Sequence, residues 1–311
     1  MTPKAILILG PTAAGKTALA LHLADRFPFE IVSVDSALVY RNMNVGTAKP
    51  SADTLKKYPH HLIDMIEPTD AYSAARFCHD ARAVMTEIGT RGKVPLLVGG
   101  TMLYAKALFG GLSEMPAADT VMRAELAARA AQIGWVGMHR ELERVDPQTA
   151  QRLNPRDSQR IQRALEVFQL SGTPISTLQT RANEPPEFPW RTLKIGLVPE
   201  DRAVLHQRIA ARFEAMLAEG LVEELRQLRA EYALTADMPS MRAVGYRQAW
   251  QFLDGEIDEK TLRDTSIAAT RQLAKRQLTW LRSMADVETV DCLRPDLSAQ
   301  VNDRCAKFLE Q

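Results

Sequence analysis

The sequence predicts an α/β fold, a parallel sheet core flanked by helices, with an all-helical insertion domain and a helical C-terminal part. Three observations carry this. The first hundred residues hold short, continuous apolar runs that each stop at glycine or aspartate. A middle stretch rich in Ala, Arg, Glu, Gln and Leu holds no strand-like run. One further apolar run then returns after a proline-rich linker. Buried parallel strands read as continuous apolar runs because helices cover both faces of their sheet.

Taken in order, Ala5 to Leu9 (AILIL) is partly β-branched and stops at Gly10-Pro11, as a buried strand would. Leu19, Leu23 and Phe27 then recur at helical spacing, and residues 30–34 (EIVSV) form a second strand. A strand, loop, helix, strand order implies a right-handed parallel crossover. Residues 73–91 read as a helix ended by Gly92, and residues 94–98 (VPLLV) as a strand ended by Gly99-Gly100. From about Asp119 to Leu170 the pattern is helical throughout. Residues 184–189 hold three prolines, a return linker, and residues 192–198 (TLKIGLV) make one more strand. Residues 119–190 are therefore an insertion into a core made of 1–118 and 191–311. From Asp201 the chain reads as mostly helical, with Leu205, Ile209, Phe213 and Met216 on one apolar stripe.

Composition narrows the class. In 311 residues, 46% are hydrophobic and 25% charged, which excludes disordered, collagenous and disulfide-scaffold proteins. Lys and Arg number 39 against 38 Asp and Glu, so any nucleic-acid binding must come from a local patch. Cys78, Cys292 and Cys305 are widely spaced and odd in number, as free thiols in a reducing compartment are. Five apolar residues follow the N-terminal Met1-Thr2-Pro3-Lys4, too few for a signal peptide or a membrane span, so a cytoplasmic location is expected. The six histidines show no metal spacing, and no structural metal is expected.

Gly10-Pro11-Thr12-Ala13-Ala14-Gly15-Lys16-Thr17 fits G-x-x-x-x-G-K-S/T between a strand and a helix, the context of a P-loop. Small residues let backbone N–H groups curl around phosphate oxygens, Lys16 adds a point charge and the Thr17 hydroxyl can ligate Mg²⁺. The motif calls for a diphosphate or triphosphate group and fixes no nucleotide. The core is thus P-loop NTPase-like. The third strand ends in Gly99-Gly100-Thr101 without a carboxylate, whereas the second ends in Val34-Asp35-Ser36. Asp35 therefore sits at the sheet edge where open α/β folds bind ligands, as a metal-binding acid, a general base or a cap of the following turn. Thr101 either contacts the reacting groups or caps the next helix. Arg208 and Arg212, four apart on one helix, suit an oxyanion, with a solvated face the plainer reading for Arg208.

Two local clusters are basic. Arg152, Arg156, Arg160 and Arg163 oppose one acid, Asp157; Arg271, Lys275, Arg276 and Arg282 oppose none within residues 271–282. On a helix Lys275, Thr279 and Arg282 share one face and Ala274, Leu278 and Leu281 a neighbouring apolar one. Such runs are also what a solvated helix face looks like. Trp280 reads as a core indole that could alternatively stack on a base.

The P-loop, residues 35–41 (DSALVYR), 46–50 (GTAKP), 99–104 (GGTMLY), 160–166 (RIQRALE), 244–247 (VGYR) and 270–277 (TRQLAKRQ) together resemble the tRNA dimethylallyltransferase family, over roughly residues 4–285. Leu38 departs from the pattern, where many relatives carry Gln. The resemblance implies transfer of a dimethylallyl group from dimethylallyl diphosphate to the N6 amine of the adenosine adjacent to, and 3′ of, the tRNA anticodon. It implies Asp35 as general base with Thr101 beside it, and residues 10–17 (Gly10, Pro11, Thr12, Ala13, Ala14, Gly15, Lys16, Thr17) with Arg212 on the diphosphate. As tRNA contacts it implies Asp35, Ser36, Ala37, Leu38, Thr101 and Arg123, then Gln159, Arg160, Ile161, Gln162 and Arg163. To these it adds Arg242, Ala243, Val244, Gly245, Tyr246 and Arg247, and Lys275, Arg276, Gln277, Leu278, Thr279, Trp280, Leu281 and Arg282. A small-molecule kinase and an RNA-binding P-loop switch are the competing classes; neither explains the basic helices together with the missing nucleotide-sensing acid. One chain carries the whole site, so a monomer is expected.

Overall fold

The computed structural model describes residues 2–111, 113, 115–181, 188–284 and 286–311. The chain divides into two compact units, Met1–Leu108 with Pro189–Gln311, and Phe109–Phe188.

In the first unit the order is β1 (Lys4–Leu9), α1 (Lys16–Ala24), β2 (Phe29–Val34), α2 (Ala52–Lys57), β3 (His60–His61), α3 (Ala74–Thr90), β4 (Val94–Gly99) and α4 (Met102–Gly110), the last running into the second unit. In the second unit lie α5 (Thr120–Val145), α6 (Pro147–Arg152), α7 (Ser158–Ser171) and α8 (Ile175–Arg181). The chain then returns through β5 (Arg191–Val198), α9 (Arg202–Ala218), α10 (Leu221–Glu231), α11 (Tyr246–Leu253), α12 (Glu259–Arg282), β6 (Glu288–Asp291) and α13 (Leu297–Glu310).

The strands form one six-stranded sheet in the order β3-β2-β4-β1-β5-β6, parallel throughout. β4 lies between β1 and β2, with Leu9 opposite Gly99 and Val34 opposite that same Gly99. The ends of β1, β2 and β4 therefore meet at one edge, and the three segments that follow them, Gly10 onward, Asp35 onward and Gly100 onward, are neighbours. Ile6, Ile8, Ile31, Leu96 and Ile195 make the sheet's share of a core that also takes in Leu19 and Leu23 of α1 and Val301, Cys305 and Phe308 of α13.

Local signals account for most boundaries. The Ser73 hydroxyl accepts from Arg76 N–H and starts α3, and Gly92, at φ +69°, follows its end. Asp119 and Asp157 cap α5 and α7 through Met122 and Arg160 N–H, while Gly172, at φ +67°, ends α7. α5 is broken at Gly134, whose φ of 69° is not helical.

One expectation differs from the structure, and two short strands carry no signal in the sequence. α1 ends at Ala24, so Phe27 lies beyond it, stacked on Phe29 at 5.1 Å. The region after Asp201 contains a strand, β6, whose four residues bury only Val290 and so carry no apolar run to read. The two-residue β3 is likewise too short to signal itself. The expected linker at 184–189 falls largely on residues 184–187, outside the described residues.

The second unit has its own core, built from Leu126, Met138, Leu142, Ile161, Leu165 and Val167 among others. The rings of Phe109 and Phe188 meet edge to face at 4.7 Å, where the chain enters and leaves this unit. Among the described residues, no helix is long and apolar enough to cross a membrane.

Candidate functional site

At the sheet edge, β1 passes so close to β5 that a Cβ on Gly10 would lie 3.0 Å from Leu197 Cβ. The loop then turns through Ala13 at φ +63° and Gly15 at φ +85°, and α1 begins at Lys16. An alanine held at positive φ is strained, and such strain is kept where surrounding structure fixes the loop. Here Ala13 packs against the cluster of Leu205, Ile209, Ala274 and Leu278. Lys16 Nζ donates to the carbonyls of Gly10 at 2.9 Å and Pro11 at 2.7 Å. Burial pushes its pKa down to about 8, with the Asp35 carboxylate opposing and Arg212 adding to the fall. An anionic ligand is what such a desolvated cation lacks.

Asp35 follows β2 directly, and its Oδ1 accepts from Ala37 N–H at 2.8 Å. That turn is the capping interaction weighed from sequence, yet it uses one oxygen; Oδ2 has no hydrogen-bond partner among the described residues. Thr101 does not cap α4 with its side chain. Its Oγ1 accepts from Ser36 N–H at 3.0 Å and donates to Ser36 Oγ at 3.3 Å, while its N–H donates to the Val34 carbonyl. Thr101 thereby ties the end of β4 to the residue after Asp35. Glycine is required two residues before it, because a Cβ on Gly99 would fall 2.0 Å from the Val34 carbonyl oxygen.

These residues line one cavity of about 930 Å³. It is lined by Thr12 to Ala18, by Asp35 to Leu38 and Val98 to Leu103 from the strand ends, and by Arg208, Arg212, Arg242, Arg276, Gln277 and Trp280. Arg212 of α9 is partly buried and makes no hydrogen bond among the described residues; burial lowers its pKa and Asp35 opposes that. Arg208 is exposed at the rim but faces the same space, more than a solvated helix face. Five cations against the single acid Asp35 make the cavity a place for a multiply charged anion. Apolar side chains complete it, among them Phe213, Met216, Leu103 and Leu273. The apolar stripe on α9 thus does two jobs, since Ile209 and Phe213 are core residues that also wall the cavity.

The stretch Gly46 to Ala48 also lines the cavity, although the sequence shows it only as a motif without a role. Glu224 of α10 holds it: its carboxylate accepts from the N–H groups of Asn44, Val45 and Gly46 at 2.8, 2.7 and 3.1 Å, and from the Tyr246 hydroxyl at 2.5 Å. A Cβ on Gly46 would lie 2.5 Å from the Tyr246 ring. Nothing in the sequence pairs Glu224 with a loop 180 residues away. Lys49 is anchored too, through the Tyr40 carbonyl and Asp64.

The sequence-derived RNA contacts divide into accessible and buried side chains. On α12, Lys275, Arg276, Thr279, Trp280 and Arg282 are exposed, and Leu278 and Leu281 are core. Trp280, read as a core indole, is 38% exposed with Lys106 Nζ 5.6 Å above its ring. Its helical phase turns it from the Ala274, Leu278 and Leu281 face. Arg242 and Arg247 are exposed, Ala243 and Val244 partly so, and Gly245 and Tyr246 are buried. In the second unit Gln159 and Arg160 are exposed, but Ile161 is core. Arg163 is not a free phosphate ligand: together with Arg123 it pairs with Glu166, whose side chain is fully buried. Burial works to raise the Glu166 pKa, but the Arg123 and Arg163 bonds and the Asp119 N–H hold it below the ordinary value. Gln162 donates to the Arg123 carbonyl. Ile161, Tyr246, Leu278 and Leu281 can therefore support an RNA surface but cannot offer side chains to it.

Among the described residues no group of three or more His, Cys, Asp or Glu could hold a metal, and Cys292 and Cys305 are buried, with Cys78 partly so. Thr17 is exposed and lines the cavity, where its hydroxyl could contribute one ligand to a Mg²⁺ held chiefly by ligand phosphates.

The sequence profile of a family described as IPP transferase matches residues 38–284, and one described as isopentenyl transferase matches residues 3–67. The chain belongs to the IPP transferase family. Members named tRNA dimethylallyltransferase include that of Thiobacillus denitrificans, 58% identical over 96% of this chain and 95% of the relative, and that of an Azoarcus species, 58% identical over 99% and 97%. IPP transferases of known structure share the fold. The tRNA isopentenylpyrophosphate transferase of Bacillus halodurans gives a TM-score of 0.72 at 36% identity, covering 99% of this chain and 97% of its own. A eukaryotic dimethylallyltransferase solved acting on tRNA gives 0.81 at 25% identity, covering 99% and 80%. The prenyl transferases acting on tRNA are thus the class to which this enzyme belongs.

Proposed function

We propose that this IPP transferase moves the dimethylallyl group of dimethylallyl diphosphate to the N6 amine of the adenosine 3′ of the anticodon, giving N6-isopentenyladenosine and diphosphate. The observation that carries this reading is the cavity's lining: one carboxylate, Asp35, a phosphate loop and four arginines, together with the apolar side chains Leu103, Phe213, Met216 and Leu273. A kinase cavity has no need of an apolar wall for a five-carbon group.

The loop amides, Lys16 and Arg212 hold the diphosphate and stabilise the charge that builds on it as the allylic C–O bond breaks. Phe213, Met216, Leu103 and Leu273 shield the allylic carbons from water. The adenine amine is a poor nucleophile because its lone pair is delocalised into the ring. As the new C–N bond forms, its proton passes to Asp35, whose Oδ1 is oriented by Ala37 N–H. Thr101 fixes the approach through Ser36. Mg²⁺, held by Thr17 and the diphosphate oxygens, would supply further neutralisation of leaving-group charge.

An adenosine in an anticodon loop must be splayed out to reach such a cavity. The exposed α12 face (Lys275, Arg276, Thr279, Arg282), with Arg242 and Arg247, is a proposed surface for the anticodon stem-loop, Gln159 and Arg160 are separately proposed contacts of the helical unit, and Trp280 a stacking surface for a base. The helical unit then serves as a tRNA-contacting domain inserted in the P-loop core. A monomer working in the cytoplasm accords with one chain holding every group used. Incubation of the protein and Mg²⁺ with unmodified tRNA and either dimethylallyl diphosphate or ATP, followed by mass analysis of the nucleosides, tests this. A five-carbon gain on adenosine with the prenyl donor alone is expected; ATP consumption with unmodified tRNA would replace this reading by a kinase or nucleotide switch.

A further inference from the structure

Gln277 lies on α12 between the exposed Arg276 and the buried Leu278, yet its side chain is turned inward. Its Oε1 accepts from Thr12 N–H of the phosphate loop at 2.9 Å, and its Nε2 donates to the Gly100 carbonyl at 2.8 Å. One carboxamide therefore spans the two loops that carry the opposed halves of the reaction. Thr12 belongs to the loop that grips the leaving group. Gly100 precedes Thr101, which holds Ser36 next to the Asp35 base. A primary amide is the side chain this position asks for, since it must accept on one side and donate on the other; a carboxylate would set like charge against the Gly100 carbonyl.

The surroundings are built around that amide. A Cβ on Gly100 would lie 2.4 Å from Gln277 Nε2 and 3.2 Å from the Gly10 carbonyl oxygen, so the glycine leaves room for the clamp. The Gly10 carbonyl is in turn an acceptor for Lys16. Ala274 and Leu278, which flank Gln277 on α12, pack against Ala13 of the same loop. The helix with the exposed basic face is thus bolted to the phosphate loop by an apolar contact and an amide.

We infer that Gln277 is a positioning residue that fixes the spacing between the phosphate loop and the Asp35–Thr101 side, and is not itself an RNA contact. This rests on the transferase reading above. Reacting groups held about 1 Å out of place can lose on the order of a hundredfold in rate. Because the amide joins α12 to both loops, the spacing is set from the helix proposed to receive tRNA.

Gln277→Met keeps length and bulk without the two bonds, and Gln277→Glu keeps only the acceptor. Measured on the full chain, both are expected to lower kcat for prenyl transfer by about tenfold to a hundredfold. Both should weaken inorganic diphosphate binding several-fold, while tRNA affinity and Tm stay near wild type. Gly100→Ala, which pushes on the same amide, should lower kcat similarly, and the double variant Gly100→Ala with Gln277→Met should cost less than the product of the two single losses. Wild-type kcat and diphosphate affinity in Gln277→Met would overturn the clamp. So would a loss confined to tRNA affinity, which would make Gln277 an RNA contact. If the wild-type protein fails to prenylate tRNA, the functional reading falls, and the diphosphate affinity ratio of Gln277→Met to wild type still decides the clamp.

Discussion

The Asp35 carboxylate is surrounded by cations that have other work to do. Lys16 and Arg212 are close enough to feel its charge, and both are disposed towards an anionic ligand. Asp35→Asn keeps the Ala37 turn, since an amide oxygen can still accept, but cannot take a proton. Transfer is expected to fall by about 10²–10⁴-fold, the span typical of a lost general base, with tRNA affinity unchanged. Full activity in that variant would remove the base assignment. The two arginines of α7 separate in the same way. Arg160 is 74% exposed and loosely paired with Asp157, so Arg160→Ala should reduce the salt dependence of tRNA binding by about one unit of slope and leave Tm alone. Arg163→Ala leaves the buried Glu166 short of a partner and should cost about 1–3 kcal/mol of stability, seen as a lower Tm. An unchanged salt slope in Arg160→Ala would put that side chain away from RNA.

Two elements show how strongly distant contacts set local shape. The 42–50 loop has no regular structure; Glu224 and the Tyr246 ring determine its path. Gly46→Ala drives a methyl group into that ring and is expected to destabilise by about 1–3 kcal/mol, as overpacking does, and to raise the KM for the prenyl donor through the displaced cavity wall. A wild-type melt with wild-type KM would contradict this. On β2, Glu30 is fastened by Arg91, with His61 and Lys93 also in reach. The Arg91 bond leads in pulling its pKa down to about 2, against the opposing effect of burial. A carboxyl with a depressed folded pKa stabilises fully above its ordinary value of 4.5 and loses that contribution as pH falls towards 2. Melts at pH 7 and pH 3 should therefore differ less for Glu30→Gln than for wild type; an equal difference would show that Glu30 contributes nothing to acid sensitivity.

At the scale of the whole molecule, the family match ends at residue 284 but the fold does not. β6 extends the sheet beside β5, and Val290, Val301, Cys305 and Phe308 enter the main core. Burying large apolar side chains contributes about 1.5–3 kcal/mol each, so the lost segment is comparable with a typical net stability of about 5–15 kcal/mol. A chain cut after residue 284 is expected to lose its cooperative thermal transition by circular dichroism. A truncated chain that melts like the full one would make the segment an accessory. This is also where composition gave least warning, because β6 offers one buried residue and no periodicity.

The parallel core, the phosphate loop, the placement of Asp35 and Thr101 just past strand ends and the two faces of α12 were legible in the sequence. All depend on local pattern: apolar runs, glycine spacing, caps and helical period. The partners were not legible. That Glu166 would occupy Arg163 and Arg123, that Glu224 would hold the 44–46 backbone, that Trp280 would turn outward and that Gln277 would join two loops are decided by contacts 3 to 265 residues apart. A single side chain's chemistry is written in its own residue type. Which neighbour satisfies it is fixed only when the sheet brings the ends of β1, β2 and β4 to one edge, and every buried donor and acceptor there must find a partner.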